Sequence, residues 1–182
     1  MKNIYLFIVS ILITYPLTSQ KKEIALEDVF ERGVFRARGI GDLDFRNDGL
    51  HYTRLEGNKI VNYEIASGKK IGELMDIAIE AKELTDKVSA FRFSDNERFL
   101  VLDTDQEHLY RYSYVANTYV YDLIEKKLIK VFPGRKIMYP KVSPASDKIA
   151  FVFENNLYFQ NLNNGKVTQI THDGRKNAVI NG

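Results

Sequence analysis

A strand-rich pattern recurs three times in this chain, and its middle copy is about ten residues too long. The copies cover Leu43–Tyr52, Phe91–Val101 and Lys141–Phe151, headed by Phe45, Phe93 and Val142, which lie 48 and 49 residues apart. A period near fifty residues is that of a β-propeller blade, a four-stranded unit that cannot bury its faces alone and must stack on its neighbours. Each copy then reaches a second strand, at Ile65, Leu123 and Leu162, or 20, 30 and 20 residues beyond its head (65−45, 123−93, 162−142). An insertion that leaves the repeat intact belongs on a face of the propeller, where binding residues concentrate. The extra residues hold a dense polar-aromatic cluster, Glu107-His108-Leu109-Tyr110-Arg111-Tyr112-Ser113-Tyr114.

The rest of the chain agrees with an all-β fold. Short apolar runs alternate with turn signals at Asn47-Asp48-Gly49, Glu56-Gly57-Asn58, Ser67-Gly68-Lys69, Ser94-Asp95-Asn96 and Asn163-Asn164-Gly165, which reads as an antiparallel meander. Alternation is visible in Phe91, Phe93, Phe99, Val101 and in Ile149, Phe151, Phe153. A β-sandwich has similar strand spacing, but repetition of motif order favours a propeller. Two segments carry helical signals. Leu26, Val29 and Phe30 are spaced for one or two turns before Gly33, and 76–83 reads as a loop or short helix between blades.

The first twenty residues form a separate segment. Met1-Lys2-Asn3 is a basic start, Ile4 to Leu17 is uncharged and mostly apolar, and Thr18-Ser19-Gln20 follows. That is the layout of a secretory signal peptide, so residues 1–20 are expected to be a leader and 21–182 the propeller portion. A retained anchor is the alternative, since the uncharged run from Asn3 to Gln20 is at the lower edge of a span; its Thr, Pro, Ser and Gln favour cleavage. Location is then expected to be outside the cytoplasm, periplasmic or at the cell surface.

Several chemistries are excluded or weakened. There is no Cys, so disulfides, thiolate metal sites and a Cys nucleophile are out. A net charge of +2 with scattered Lys and Arg gives no support for nucleic-acid binding. His51, His108 and His172 stand far apart, without metal-ligand spacing, and neither metal nor cofactor is expected. Asp42/Asp44 and Asp103/Asp105 are carboxylate pairs, read as strand-end turns rather than acid/base or calcium sites. No G-x-S-x-G nucleophile elbow occurs.

The Arg111–Leu123 segment resembles the dipeptidyl peptidase IV family. So do Val142-Ser143-Pro144 through Val152, Asn155 to Tyr158, Thr168 to Thr171 with Gly174, the closing Ile180-Asn181-Gly182, and the opening Leu26 to Phe30. The resemblance covers roughly Glu23 to Gly182, and the Arg111 segment is its most specific part. It implies an incomplete propeller, about three antiparallel blades of an eight-bladed ring that caps an α/β-hydrolase domain. The complete enzyme would be a serine exopeptidase releasing N-terminal dipeptides with Pro or Ala second. Its partners would be the peptide N-terminus, the hydrolase domain and, at full length, a second copy of the enzyme.

The resemblance also implies a role for Arg111, projecting into the active-site cavity and hydrogen-bonding the bound dipeptide's carbonyl. A guanidinium suits that task, because it presents a fixed fork of donors and stays charged. Glu107 is its expected partner. Tyr110, Tyr112 and Tyr114 are expected to alternate along a strand and pack on the blade. The family's acidic pair and catalytic Ser, Asp and His have no counterpart in these 182 residues, so this chain by itself is expected to be inactive. A stand-alone binding module or a truncated gene product is the competing reading, and an unclosed ring argues against independence.

Overall fold

In a computed structural model, the structure describes residues 23–36 and 43–182. The expected leader over 1–20, and Asp42, lie outside the described residues. Among the described residues no helix is long and apolar enough to cross a membrane.

Residues 23–36 belong to a unit of their own. It holds α1 (Leu26–Phe30), the short helix expected there. The Asp28 carboxylate accepts the Ala25 amide and pairs with Arg32. Gly33, at φ +59°, supplies the left-handed residue that ends the turn.

The second unit is all β. Three four-stranded antiparallel sheets follow in chain order, each a simple meander. The first contains β1 (Leu43–Phe45), β2 (His51–Glu56), β3 (Lys59–Glu64) and β4 (Lys70–Asp76). The second contains β5 (Val88–Phe93), β6 (Phe99–His108), β7 (Tyr114–Asp122) and β8 (Lys127–Val131). The third contains β9 (Met138–Val142), β10 (Lys148–Phe153), β11 (Asn156–Asn161) and β12 (Val167–Gln169). These are three blades of a β-propeller. Between the first two, α2 (Ile77–Glu80) forms where helical propensity was read, capped by Asp76 through the Ala78 amide (3.1 Å).

The repeat is visible in the hydrogen bonds. The residue after each head closes the first hairpin: Arg46, Ser94 and Ser143 donate to His51, Phe99 and Lys148 at 2.9, 2.9 and 2.8 Å. Ile65, Leu123 and Leu162 donate back to Leu50, Arg98 and Asp147 at 2.9, 3.0 and 2.8 Å. They follow the last residues of β3, β7 and β11, so they mark the end of each blade's third strand rather than its second. The extra length of the middle copy therefore falls within the β6–β7 hairpin.

Blades stack through two apolar layers. Ile60 and Met75 of the first blade, with Ile77 and Ala81, pack on Val88, Phe91, Leu100, Leu102 and Tyr121 of the second. Phe99, Val101, Val120 and Val131 on the other face of the second blade pack on Val142, Ile149, Phe151 and Leu162 of the third. Strand β6 thus alternates between neighbours, Leu100 and Leu102 one way, Phe99 and Val101 the other, as the period of a strand requires. The turn between the first and second strands of the second blade is also linked to both neighbours, to the corresponding turn of the first blade and to β9 of the third. Arg46 bonds Glu97 (2.8 Å), and Lys141 bonds Asp95 (2.8 Å).

Candidate functional site

The β6–β7 hairpin outgrows its sheet because β6 runs past its partner. Val88 at the start of β5 pairs with Thr104. Beyond that point β6 has only β7 beside it, with Glu107 opposite Val115 and His108 opposite Tyr114. Strand β6 is four residues longer than its counterparts β2 and β10, and β7 three longer than β3 and β11, so the ladder runs roughly 10 Å beyond the neighbouring hairpins at about 3.3 Å per residue. Those neighbours reverse tightly at Gly57-Asn58 and at Glu154-Asn155. Their tips lie on the same face of the propeller, which also carries the connections from blade to blade.

A β-bulge redirects the long arm. Three steps on β6, Thr104 to Glu107, oppose two on β7, Asn117 to Val115. Asp105 takes the left-handed conformation there, at φ +49°. At the tip, the Ser113 carbonyl accepts both the Leu109 amide (2.9 Å) and the Tyr110 amide (3.2 Å), which closes the reversal.

Arg111 sits within that reversal, exposed to solvent. Its guanidinium carbon lies 6.0 Å from the Tyr112 ring centroid, a cation–π contact at the limit of its range. Glu107, its expected partner, faces Lys136 instead (3.6 Å). Among the described residues Arg111 makes no ion pair, so its donors are available. The tyrosines also depart from expectation. The strand ends at His108 and resumes at Tyr114, so the three do not share one strand face. Tyr110 and Tyr112 are 82% and 85% exposed; the chain must reverse somewhere on a long hairpin, and it does so under them. Only Tyr114 is partly buried on the blade.

The root of the hairpin is fixed by a buried carboxylate. Asp103 lies within β6, with no solvent exposure, not at a strand-end turn as expected. Its Oδ2 accepts Arg92 Nη1 and Nη2 (both 3.0 Å) and the Tyr114 hydroxyl (2.9 Å), and its Oδ1 accepts Thr118 Oγ1 (2.7 Å). Burial, then the Asp103 charge, pushes the Tyr114 phenol up, so it stays a donor. Asp44 is likewise structural: from β1 it accepts the Phe93 amide of the next blade (2.9 Å). The histidines remain apart. His51 bonds Asp48 (2.6 Å), and the His108 ring lies 6.0 Å from that of Tyr114. No group of three or more potential metal ligands occurs among the described residues.

Beside the hairpin root lies an open groove of about 350 Å³ between the second and third blades, lined by Arg92, Tyr112, Tyr114, Tyr139, Pro140 and Lys141. Tyr139 is held at φ +50°, an uncommon conformation for an aromatic residue. The buried role of Asp103, read as a turn residue, and the conformation of Tyr139 were both missed in the sequence. Asp103 had a signal, since a carboxylate directly after the apolar run Phe99 to Leu102 demands a buried partner. Tyr139 had none, because backbone conformation at a single residue leaves no pattern.

The described residues form three blades of a propeller, the second bearing a long hairpin whose tip carries an arginine without an ion pair among the described residues. Residues 94–182 match the model described as the dipeptidyl peptidase IV N-terminal region. The chain is 28% identical over 172 residues to mouse prolyl endopeptidase FAP, covering 92% of this chain and 21% of that protein. It is 33% identical over 127 residues to the human protein of that name, covering 69% and 16%. The solved structure of Porphyromonas gingivalis dipeptidyl peptidase 4 superposes with a TM-score of 0.76 at 32% identity, over 87% of this chain and 23% of that one. The chain belongs to the dipeptidyl peptidase IV family, as part of its N-terminal propeller region. It spans about a fifth of the length of those relatives.

Proposed function

We propose that this chain forms the substrate-facing start of the propeller in an exported serine exopeptidase that releases N-terminal X-Pro or X-Ala dipeptides. In this reading Arg111 donates to the carbonyl of the bound dipeptide and thereby sets its depth in the active-site cavity. The observation that carries the proposal is the placement of Arg111. It stands at the tip of the one hairpin that outgrows its blade, exposed and without an ion pair among the described residues, on a root held by the buried Asp103. The likeness to dipeptidyl peptidase 4 supports the choice of substrate. The basic and apolar opening 1–20 supports export to the periplasm or cell surface. The chemistry would come from an α/β-hydrolase domain as partner, and a full-length enzyme would pair with a second copy.

The test is Arg111→Ala in the full-length enzyme carrying this propeller, assayed on Gly-Pro p-nitroanilide. Loss of a charged hydrogen bond costs about 1.5–3 kcal/mol, so kcat/KM should fall by about ten-fold or more. An unchanged kcat/KM removes Arg111 from the site.

A further inference from the structure

The long hairpin is braced by a residue of the next connection. Ile137, between β8 and β9, exchanges two backbone bonds with Ala116 of β7: Ala116 donates to Ile137 (3.1 Å) and Ile137 donates back (2.9 Å). Ile137 and Ala116 are buried. Lys136, one residue earlier, is therefore based on a rigid backbone, and its side chain is only 29% exposed. Its Nζ lies 3.0 Å from Asp105 Oδ2 and 3.6 Å from Glu107 Oε2. Asp105 lies within the bulge at which β6 leaves its sheet, and Glu107 is where pairing with β7 resumes.

We propose that Lys136 is a positioning residue, a clamp that fixes the angle at which the hairpin presents Arg111 to the substrate. The inference rests on the reading of Arg111 given above. An isolated exposed ion pair contributes little to stability, because ordering two long side chains offsets the Coulomb gain. This pair differs in what it controls. The bulge is where the arm departs from its sheet, and Lys136 ties Asp105 within it to Glu107 at its far end. A small change of angle there is multiplied along an arm of roughly 10 Å. Arg111 has no side-chain ion pair among the described residues to correct its position.

The experiment compares Lys136→Met, Lys136→Arg, Arg111→Ala and the double variant Lys136→Met/Arg111→Ala in the full-length enzyme on Gly-Pro p-nitroanilide. Amide hydrogen exchange is followed over 105–116. Lys136→Met is expected to raise KM about three- to ten-fold with little change in kcat, as for a displaced binding group. It should also speed exchange in the arm, with Lys136→Arg restoring both. In the Arg111→Ala background it should add less than about two-fold, because residues acting as a unit are non-additive. A normal KM in Lys136→Met beside an impaired Arg111→Ala overturns the clamp and leaves the arginine's role standing. Full additivity also overturns it, since Lys136 would then act elsewhere. If Arg111→Ala is itself unimpaired, the substrate reading fails, and exchange alone decides whether Lys136 braces the arm: unchanged protection refutes it.

Discussion

The Asp103 carboxylate is the feature whose removal has the most calculable consequence. Asp103→Ala deletes an acceptor of four hydrogen bonds, from Arg92 twice, Tyr114 and Thr118. The losses are unequal. Thr118 is 1% exposed, so its hydroxyl loses its partner without gaining water, at about 1–3 kcal/mol. The Arg92 side chain is 31% exposed and regains part of its hydration, which places its share below the 3–5 kcal/mol of a fully buried broken pair. Tyr114 is partly exposed and loses about 1 kcal/mol. The sum is about 3 kcal/mol, which for a chain of this size lowers Tm by roughly 6–12 °C. Thermal unfolding followed by far-ultraviolet circular dichroism measures it. Thr118→Val alone should cost less, about 1 kcal/mol, and should be non-additive with Asp103→Ala. A Tm within about 2 °C of the parent after Asp103→Ala would refute the view that this carboxylate holds the hairpin root.

Two further perturbations test other parts of the fold. Gly174→Ala would place a Cβ inside the contact radius of the Asn155 carbonyl and 2.7 Å from Asn156 Oδ1, the acceptor of the Gly174 amide; overpacking of this kind costs about 1–3 kcal/mol, read as a lower denaturant midpoint, and an unchanged midpoint would show that the 170–182 segment is not held on the turn at Asn155. Acid stability tests Asp122: burial pushes its carboxyl up, but bonds from Arg98 and from the Glu125 and Ile124 amides outweigh that and hold it below its ordinary value. A carboxyl depressed by folding contributes stability above its unfolded pKa, near 3.9, and that stability is lost as pH falls through the folded value. In Arg98→Met burial is opposed only by the amides, so the acid-unfolding midpoint should move to higher pH; a midpoint that stays or falls contradicts the assignment.

The blades were legible because their physics is periodic. Strand alternation and turn residues recur at each head, and the hydrogen bonds at Arg46, Ser94 and Ser143 are equivalent in all three copies. The excess length of the middle copy was legible as arithmetic, and so was its location on a face. Side-chain partnership was not. Glu107 is near Arg111 in sequence, but sequence proximity on a reversing tip does not imply contact, and Lys136 claims it from another connection. The tyrosine alternation failed for the same reason, since period-two reasoning holds only while the strand continues. Asp103 and Asp105 were read alike because both fit a turn composition. Pairing register separates them, placing one within the sheet and the other at a bulge.

The long hairpin is rooted in a strand that is buried toward both neighbouring blades. A projecting two-stranded arm is marginal by itself, and it holds a side chain in place only if its root cannot move. The second blade is packed on both faces, with Phe99, Leu100, Val101 and Leu102 of β6 all buried in succession. Asp103 and Thr104 extend that buried run by two polar residues, and the arm leaves the sheet immediately after them. The reversal that carries Arg111 is therefore rooted in a strand held by two inter-blade cores.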